Sequence, residues 1–204
     1  LLIGILLPAL SAARRTGRQL DGSTRVRGIH QSMVIFAQGN KDVYPGLDGA
    51  GNRILAGVAT TGSATHDGAT VEARYWLLLT QNYMTGDYAI SPAEQKTAWT
   101  TGAASFSNYS FAMTRIRYAA GVTNGRLRDW RGTLNGEAPV VGDRSKGTSS
   151  SHIYSVHTDD PGPAAADWRG SVGWNDNHVS LEQTHVLSTK FSGAAPVTTV
   201  TGNG

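Results

Sequence analysis

No cysteine occurs anywhere in the chain, which excludes a disulfide framework, thiol catalysis and every cysteine-based metal site. An exported head built on this sequence has to be held by burial, hydrogen bonds or a cysteine-free metal site. Acidic side chains are almost missing from the first thirty residues, where Asp21 stands alone against Arg14, Arg15, Arg18, Arg25 and Arg27. Those residues therefore carry a net +4, and with +3 over the whole chain residues 31–204 carry a net −1. The body of the chain offers no broad basic surface for nucleic acid. A long hydrophobic run is also absent. The opening LLIGILLPAL, Leu1–Leu10, is interrupted by Pro8, and as a helix it would cover roughly 15 Å, half the hydrocarbon core of a bilayer, so it cannot cross a membrane unaided.

Three readings of this opening compete. It could be the h-region of a signal peptide, but a basic n-region should precede such a segment and it would be absent from a mature chain. It could be a core helix, but Arg14, Arg15 and Arg18 follow too closely for burial without partners. The preferred reading makes it the exposed end of a longer apolar helix that begins upstream, lies in a membrane before assembly and packs against copies of itself afterwards. On that reading Leu1, Leu2, Ile3, Ile5, Leu6, Leu7, Pro8, Leu10, Arg14, Arg15 and Arg18 form an assembly surface. The arginines face filament solvent, acidic groups of a neighbour or a water-bearing junction between helices, and as a juxtamembrane cluster they can touch anionic lipid headgroups.

With 39% hydrophobic residues the chain is an ordinary foldable one. A helix is predicted over residues 1–38 and a globular, strand-rich head over 39–204. Leu6, Leu10, Ala13, Gly17 and Leu20 form one stripe; Val26, Ile29, Met33 and Phe36, with Ala37 alongside, form a second, to be buried on the head. The stripes are offset near Asp21-Gly22-Ser23-Thr24, where a break or a new N-cap is predicted, and Pro8 predicts a kink. Gly39 and Asn40 end the helix. Strands are predicted within RILAGVAT, SNYSFAMTR, APVVGD, SSHIYSVH, GSVGWNDNHVSLEQ and THVLSTKF, whereas Val71–Thr80 reads equally as strand or short helix. VGWNDNHVSLE predicts a β-hairpin turning at Asn175-Asp176-Asn177. In it Trp174 and Val179 bring apolar side chains to the core with Val172 and Leu181, Asp176 accepts local backbone bonds, Asn177 supplies a left-handed turn position and His178 is structural or superficial.

Other chemistry is thin. His157, Asp159, Asp160, Asp176 and His178 are candidate metal ligands, but no HExxH stretch or regular calcium-loop spacing groups them, and the preferred reading has neither metal nor cofactor. No G-x-S-x-G elbow supports a hydrolase, and GLDGAGN lacks the Gly-Lys-Ser/Thr of a phosphate loop. RIRYAAGVTNGRLRDWRG places Arg115, Arg117, Arg126, Arg128 and Arg131 around Tyr118 and Trp130, a candidate head interface for a neighbouring subunit.

The N-terminal LLIGILLPALSAARR resembles the latter part of the prepilin-type helix of type IV pilin-like proteins. The aromatic first residue and the early glutamate of that helix would lie upstream of Leu1. STRVRGIHQSMVIFAQGNKDVYPG, DYAISPAE, SNYSFAM, APVVGDRS and GSVGWNDNHVSLE together resemble, in order, the pilin-like and pseudopilin proteins abundant in Planctomycetes, with their H-X9-DG-like C-terminal region. Asn177 stands in place of the glycine, and His157 lies further upstream than the motif has it, with DDPGPAAADW as an insertion. The resemblance implies an α+β, type IV pilin-like fold, a long N-terminal helix packed on an antiparallel sheet head. It also implies a prepilin-peptidase-processed, non-enzymatic subunit of an extracellular type IV pilus-like filament. Its partners would be copies of itself, the inner-membrane assembly machinery and, before assembly, the membrane, with no nucleic acid. A type II secretion-like pseudopilin is the alternative, and a metal-binding surface module or enzyme is the rival from another class.

Overall fold

A computed structural model describes residues 2–52, 54, 70–116, 125–132, 135–149, 151–189 and 191, with the side chains of residues 2–7 and 125 left aside. The strand predicted within RILAGVAT and the tail from Gly193 lie outside the described residues, apart from Ile54.

Helix α1 runs without interruption over Leu2–Gln38, Pro8 included. The predicted break at Asp21–Thr24 does not form. Ser23 and Thr24 cap nothing; their hydroxyls donate back to the carbonyls of Gln19 and Leu20 at 3.0 and 3.1 Å, while Asp21 accepts from Arg25 one turn on. Each polar side chain thus satisfies a helical neighbour instead of competing for the backbone. The helix stops where the periodicity ends. Asn40 and Asp42 donate their amides to the Ala37 carbonyl, Lys41 and Asp42 take left-handed conformations, and the Asn40 side chain ties down the carbonyls of Val43 and Leu47.

The ambiguous segment Val71–Thr80 is a helix, α2. Thr70 caps it by accepting from the Ala73 amide, and Glu72 occupies the first turn, where the helix dipole favours an acid. Two short 3₁₀ turns follow, Gly86–Ala89 and Phe106–Asn108, the second held by a Ser105–Asn108 capping box. SNYSFAMTR accordingly yields only the short strand β1, Phe111–Met113. After one turn of helix, α3 at Gly125–Arg128, come β2 (Pro139–Asp143), β3 (Ser145–Ser149), β4 (His152–Ser155), β5 (Ala166–Asp167), β6 (Gly170–Trp174) and β7 (Val179–Glu182).

Among the described residues the strands form two sheets. One is antiparallel, in the order β1-β2-β6-β7; the other is mixed, in the order β3-β4-β5, with β4 and β5 parallel. The small sheet departs from the all-antiparallel expectation because the 155–165 connection carries the chain back alongside β4 instead of turning it as a hairpin. Among the described residues of THVLSTKF no strand forms, only a bridge at Thr189, although Leu187 and Phe191 are buried.

The core lies between α1 and the antiparallel sheet, closed by α2. Val26, Ile29 and Met33 are fully buried, and Phe36 and Ala37 nearly so, with Tyr75, Leu78, Phe111 and Val141 across from them. Full burial of each such side chain is worth about 1.5–3 kcal/mol. Gly173 on β6 makes the approach close: a Cβ there would sit 2.8 Å from Val26 Cγ1. The second predicted stripe therefore packs on the predicted hairpin. Leu181 does not join it. It pairs with Ser171 and shares the α1-side face with Val179, yet it is 45% exposed because β7 is the sheet's edge strand.

Candidate assembly surface and its anchor in the head

The apolar-to-polar change along α1 divides it into two functional halves. Every described side chain from Pro8 to Arg18 is exposed, Leu10 at 50%, whereas Gly22 and then, from Val26 onwards, one face of the helix are buried on the head. The described part of the predicted assembly surface, Pro8, Leu10, Arg14, Arg15 and Arg18, thus projects from the head. Leu1 and the side chains of Leu2, Ile3, Ile5, Leu6 and Leu7 lie outside the described residues. Among the described residues no helix is long and apolar enough to cross a membrane.

The projecting half is anchored by polar contacts where it leaves the head. Ser23 Oγ lies 2.8 Å from Ser171 Oγ on β6, and the Ser171 amide donates to Asp143 Oδ2 at 2.7 Å. The same carboxylate oxygen meets His157 Nε2 at 3.1 Å, with Asp143 fully shielded and His157 nearly so. Gly22 rests against the His157 ring. On the other side, Arg25 donates to the carbonyls of Asp87 and Ile90, and Tyr88 donates to the Thr24 carbonyl. Gly28 admits Tyr88 against the helix, since a Cβ there would come within 2.4 Å of the phenol oxygen.

A second network joins α1 to the hairpin tip. His30 Nε2 lies 2.9 Å from Tyr44 Oη, and His30 Nδ1 lies 3.1 Å from Asn177 Oδ1. Tyr44 donates on to Asn175, whose amide group donates to the Arg131 carbonyl. Burial pushes the His30 pKa below its ordinary value, partly opposed by the hydrogen bond to Asn177 Oδ1 and the charge of Asp176. The hairpin turn has the predicted parts: Asn177 is left-handed at φ 70°, and Asp176 Oδ1 accepts from the His178 amide at 3.0 Å. Burial would raise the Asp176 pKa, but hydrogen bonds from the His178 amide and ring outweigh it and hold the carboxylate below its usual range. Exposed His178 stacks on half-buried Trp174, whose indole donates to Ser180, and Val179 packs partly against the core.

The candidate metal ligands are dispersed. His157 pairs with Asp143, Asp159 with Arg15, Asp160 with His152 and Asp176 with His178, and among the described residues no three such groups come together. The candidate head interface is also broken up. Arg117 and Tyr118 lie outside the described residues, and Arg115 and Arg128 are exposed. Arg126 lies over the Phe191 ring at 5.6 Å, while Arg131 is half-buried and its backbone bridges to Val43. Trp130 corrects the expectation outright. It is 2% exposed, donates to the Pro45 carbonyl and lies between Tyr44 and the Arg74 guanidinium, so it packs the core and cannot act as a docking platform.

Sequence reading missed His30, Tyr44 and Asn175 as a group. The available signal was a histidine falling between Ile29 and Met33 on a stripe destined for burial, a position that demands polar partners. No family model matches the chain, no curated protein is similar to it, and no solved structure matches it. The α+β architecture with an N-terminal helix and antiparallel pairing stands on the structure alone.

Proposed function

We propose that this chain is a structural, non-enzymatic subunit of an extracellular type IV pilus-like filament, with a pilin-like fold assembled through its N-terminal helix. Its precursor would be held in the inner membrane and delivered to copies of itself by pilus or secretion machinery. The observation that carries the reading is the division of α1. One half is covered by its own head, and the other projects with exposed apolar and cationic side chains that one copy cannot cover. Identical subunits joined by such a one-sided element make heterologous contacts, which propagate as a helix instead of closing a ring. The polar groups that could suggest catalysis are committed elsewhere: Asp143 holds His157 and the Ser171 amide, and Asp176 holds the hairpin turn.

The test uses the full chain, purified in detergent and followed by electron microscopy as detergent is withdrawn. Helical filaments with the heads outside are the expected product. A chain that stays monomeric, or that forms closed dimers through the head, contradicts the proposal.

A further inference from the structure

The acidic side chains nearest the projecting half of α1 are already occupied. Asp21 is held by Arg25 at 3.2 Å, Asp159 by Arg15 at 3.4 Å and Asp160 by the His152 ring at 2.7 Å. Arg14 and Arg18 differ. Both are exposed, four residues apart on one helix face, and neither has a hydrogen-bond or ion-pair partner among the described residues. Arg15 reaches from the helix to Asp159 on the head. The two remaining cations therefore stand with no acidic side chain opposing them.

Their position along the helix is as informative as their charge. Leu2–Leu10 has an apolar sequence in helical conformation, the segment that enters the hydrocarbon on the proposed reading. Arg14 follows one turn after Leu10, and Arg18 one turn later, so the two guanidinium groups are set about 6 Å apart along the axis, the depth of one headgroup layer. Gly22, the first buried residue among the described side chains of α1, comes one turn beyond Arg18, which places the head just outside that layer.

We infer that Arg14 and Arg18 form a cationic collar that binds the phosphates of anionic lipid headgroups while the subunit waits in the membrane. This rests on the proposed membrane-held precursor and adds the partner of its cationic segment. The guanidinium fork suits phosphate oxygens, and juxtamembrane cations attract an anionic leaflet. A carboxylate from a second copy is the rival occupant. Position favours lipid: the two arginines follow directly on the apolar segment, whereas Asp42 and Glu137, exposed and with no basic partner among the described residues, lie past the opposite end of α1 and beside the hairpin tip, and Asp167 and Asp176 are already held by basic side chains of their own chain.

The experiment measures partition of the full chain, diluted from detergent, onto vesicles of phosphatidylcholine alone or with one-third phosphatidylglycerol, at low and high salt. The parent should bind both and prefer the anionic vesicles by on the order of 20-fold at low salt. Arg14→Gln/Arg18→Gln should retain binding to the neutral vesicles and lose most of that preference, with an unchanged unfolding midpoint. Equal partition of the parent onto both vesicles overturns the collar and leaves the membrane-held reading standing; no binding to either overturns both. A double variant that keeps the full anionic preference, or that loses filament formation without losing it, assigns the arginines to another partner.

Discussion

His30 places a titratable ring in the middle of an apolar helix stripe, and its two nitrogens are engaged by Tyr44 and Asn177 on separate segments. Burial keeps its pKa below the ordinary 6.5, so the folded chain takes up this proton less readily than the unfolded chain. The stabilisation is complete above about pH 6.5 and declines as the pH falls from there toward the depressed value. Denaturant midpoints should drop between pH 7 and pH 5, and His30→Gln should flatten that slope. His185, also depressed by burial, acts in the same sense, so the double His30→Gln/His185→Gln variant should be flatter still. An unaltered slope in both variants would remove His30 from the account. Asp176→Ala should lower stability by about 1 kcal/mol through the lost turn bond, and the shift should be the same with and without chelator. The turn roles of Asp176 and Asn177 were legible because Asn and Asp carry their own local hydrogen-bonding rules. The His30 bond to Asn177 was not, because nothing local announces which residue will stand opposite across 147 positions of chain.

At the scale of elements, close approach governs α1. Gly28 should be costly to replace although glycine is a poor helix former: Gly28→Ala should lose about 1–3 kcal/mol by pushing Tyr88 aside. In a Tyr88→Ala background the same change should gain up to about 1 kcal/mol, since only the helix propensity then remains. A chemical-denaturation cycle checks the reversal of sign, and a loss in both backgrounds would contradict the packing. Val26→Ala should cost about 1–3 kcal/mol, as it removes buried methyls from the contact with Gly173. The buried stripe of α1 and the β6–β7 hairpin were readable from periodicity and turn residues. The expected break at Asp21–Thr24 was not realised because side-chain caps and i−4 bonds use the same residue types, and helix continuity decided between them. Strands β3 and β5 escaped notice for a related reason. SKGTS and the Ala166–Asp167 pair lack an apolar alternation, and their conformation is imposed by β4.

Over the whole molecule, charge and burial are divided along the same line: a basic, projecting helix end and a near-neutral head that buries its own half of α1. That division was legible from the first thirty residues. The fate of Trp130 was not, because arginines flanking an aromatic describe a surface cluster and a buried cation–π contact equally well, and Arg74 supplied the latter from a distant helix. The central claim is that residues 8–18 become the seam between copies. The chain has no cysteine, so a single Ala12→Cys substitution in the full chain gives an unambiguous probe of that seam. Within assembled material, residue 12 should become inaccessible to a thiol reagent, while a cysteine at exposed Thr148 on the head stays reactive. Equal reactivity at the two positions in assembled material would contradict the account.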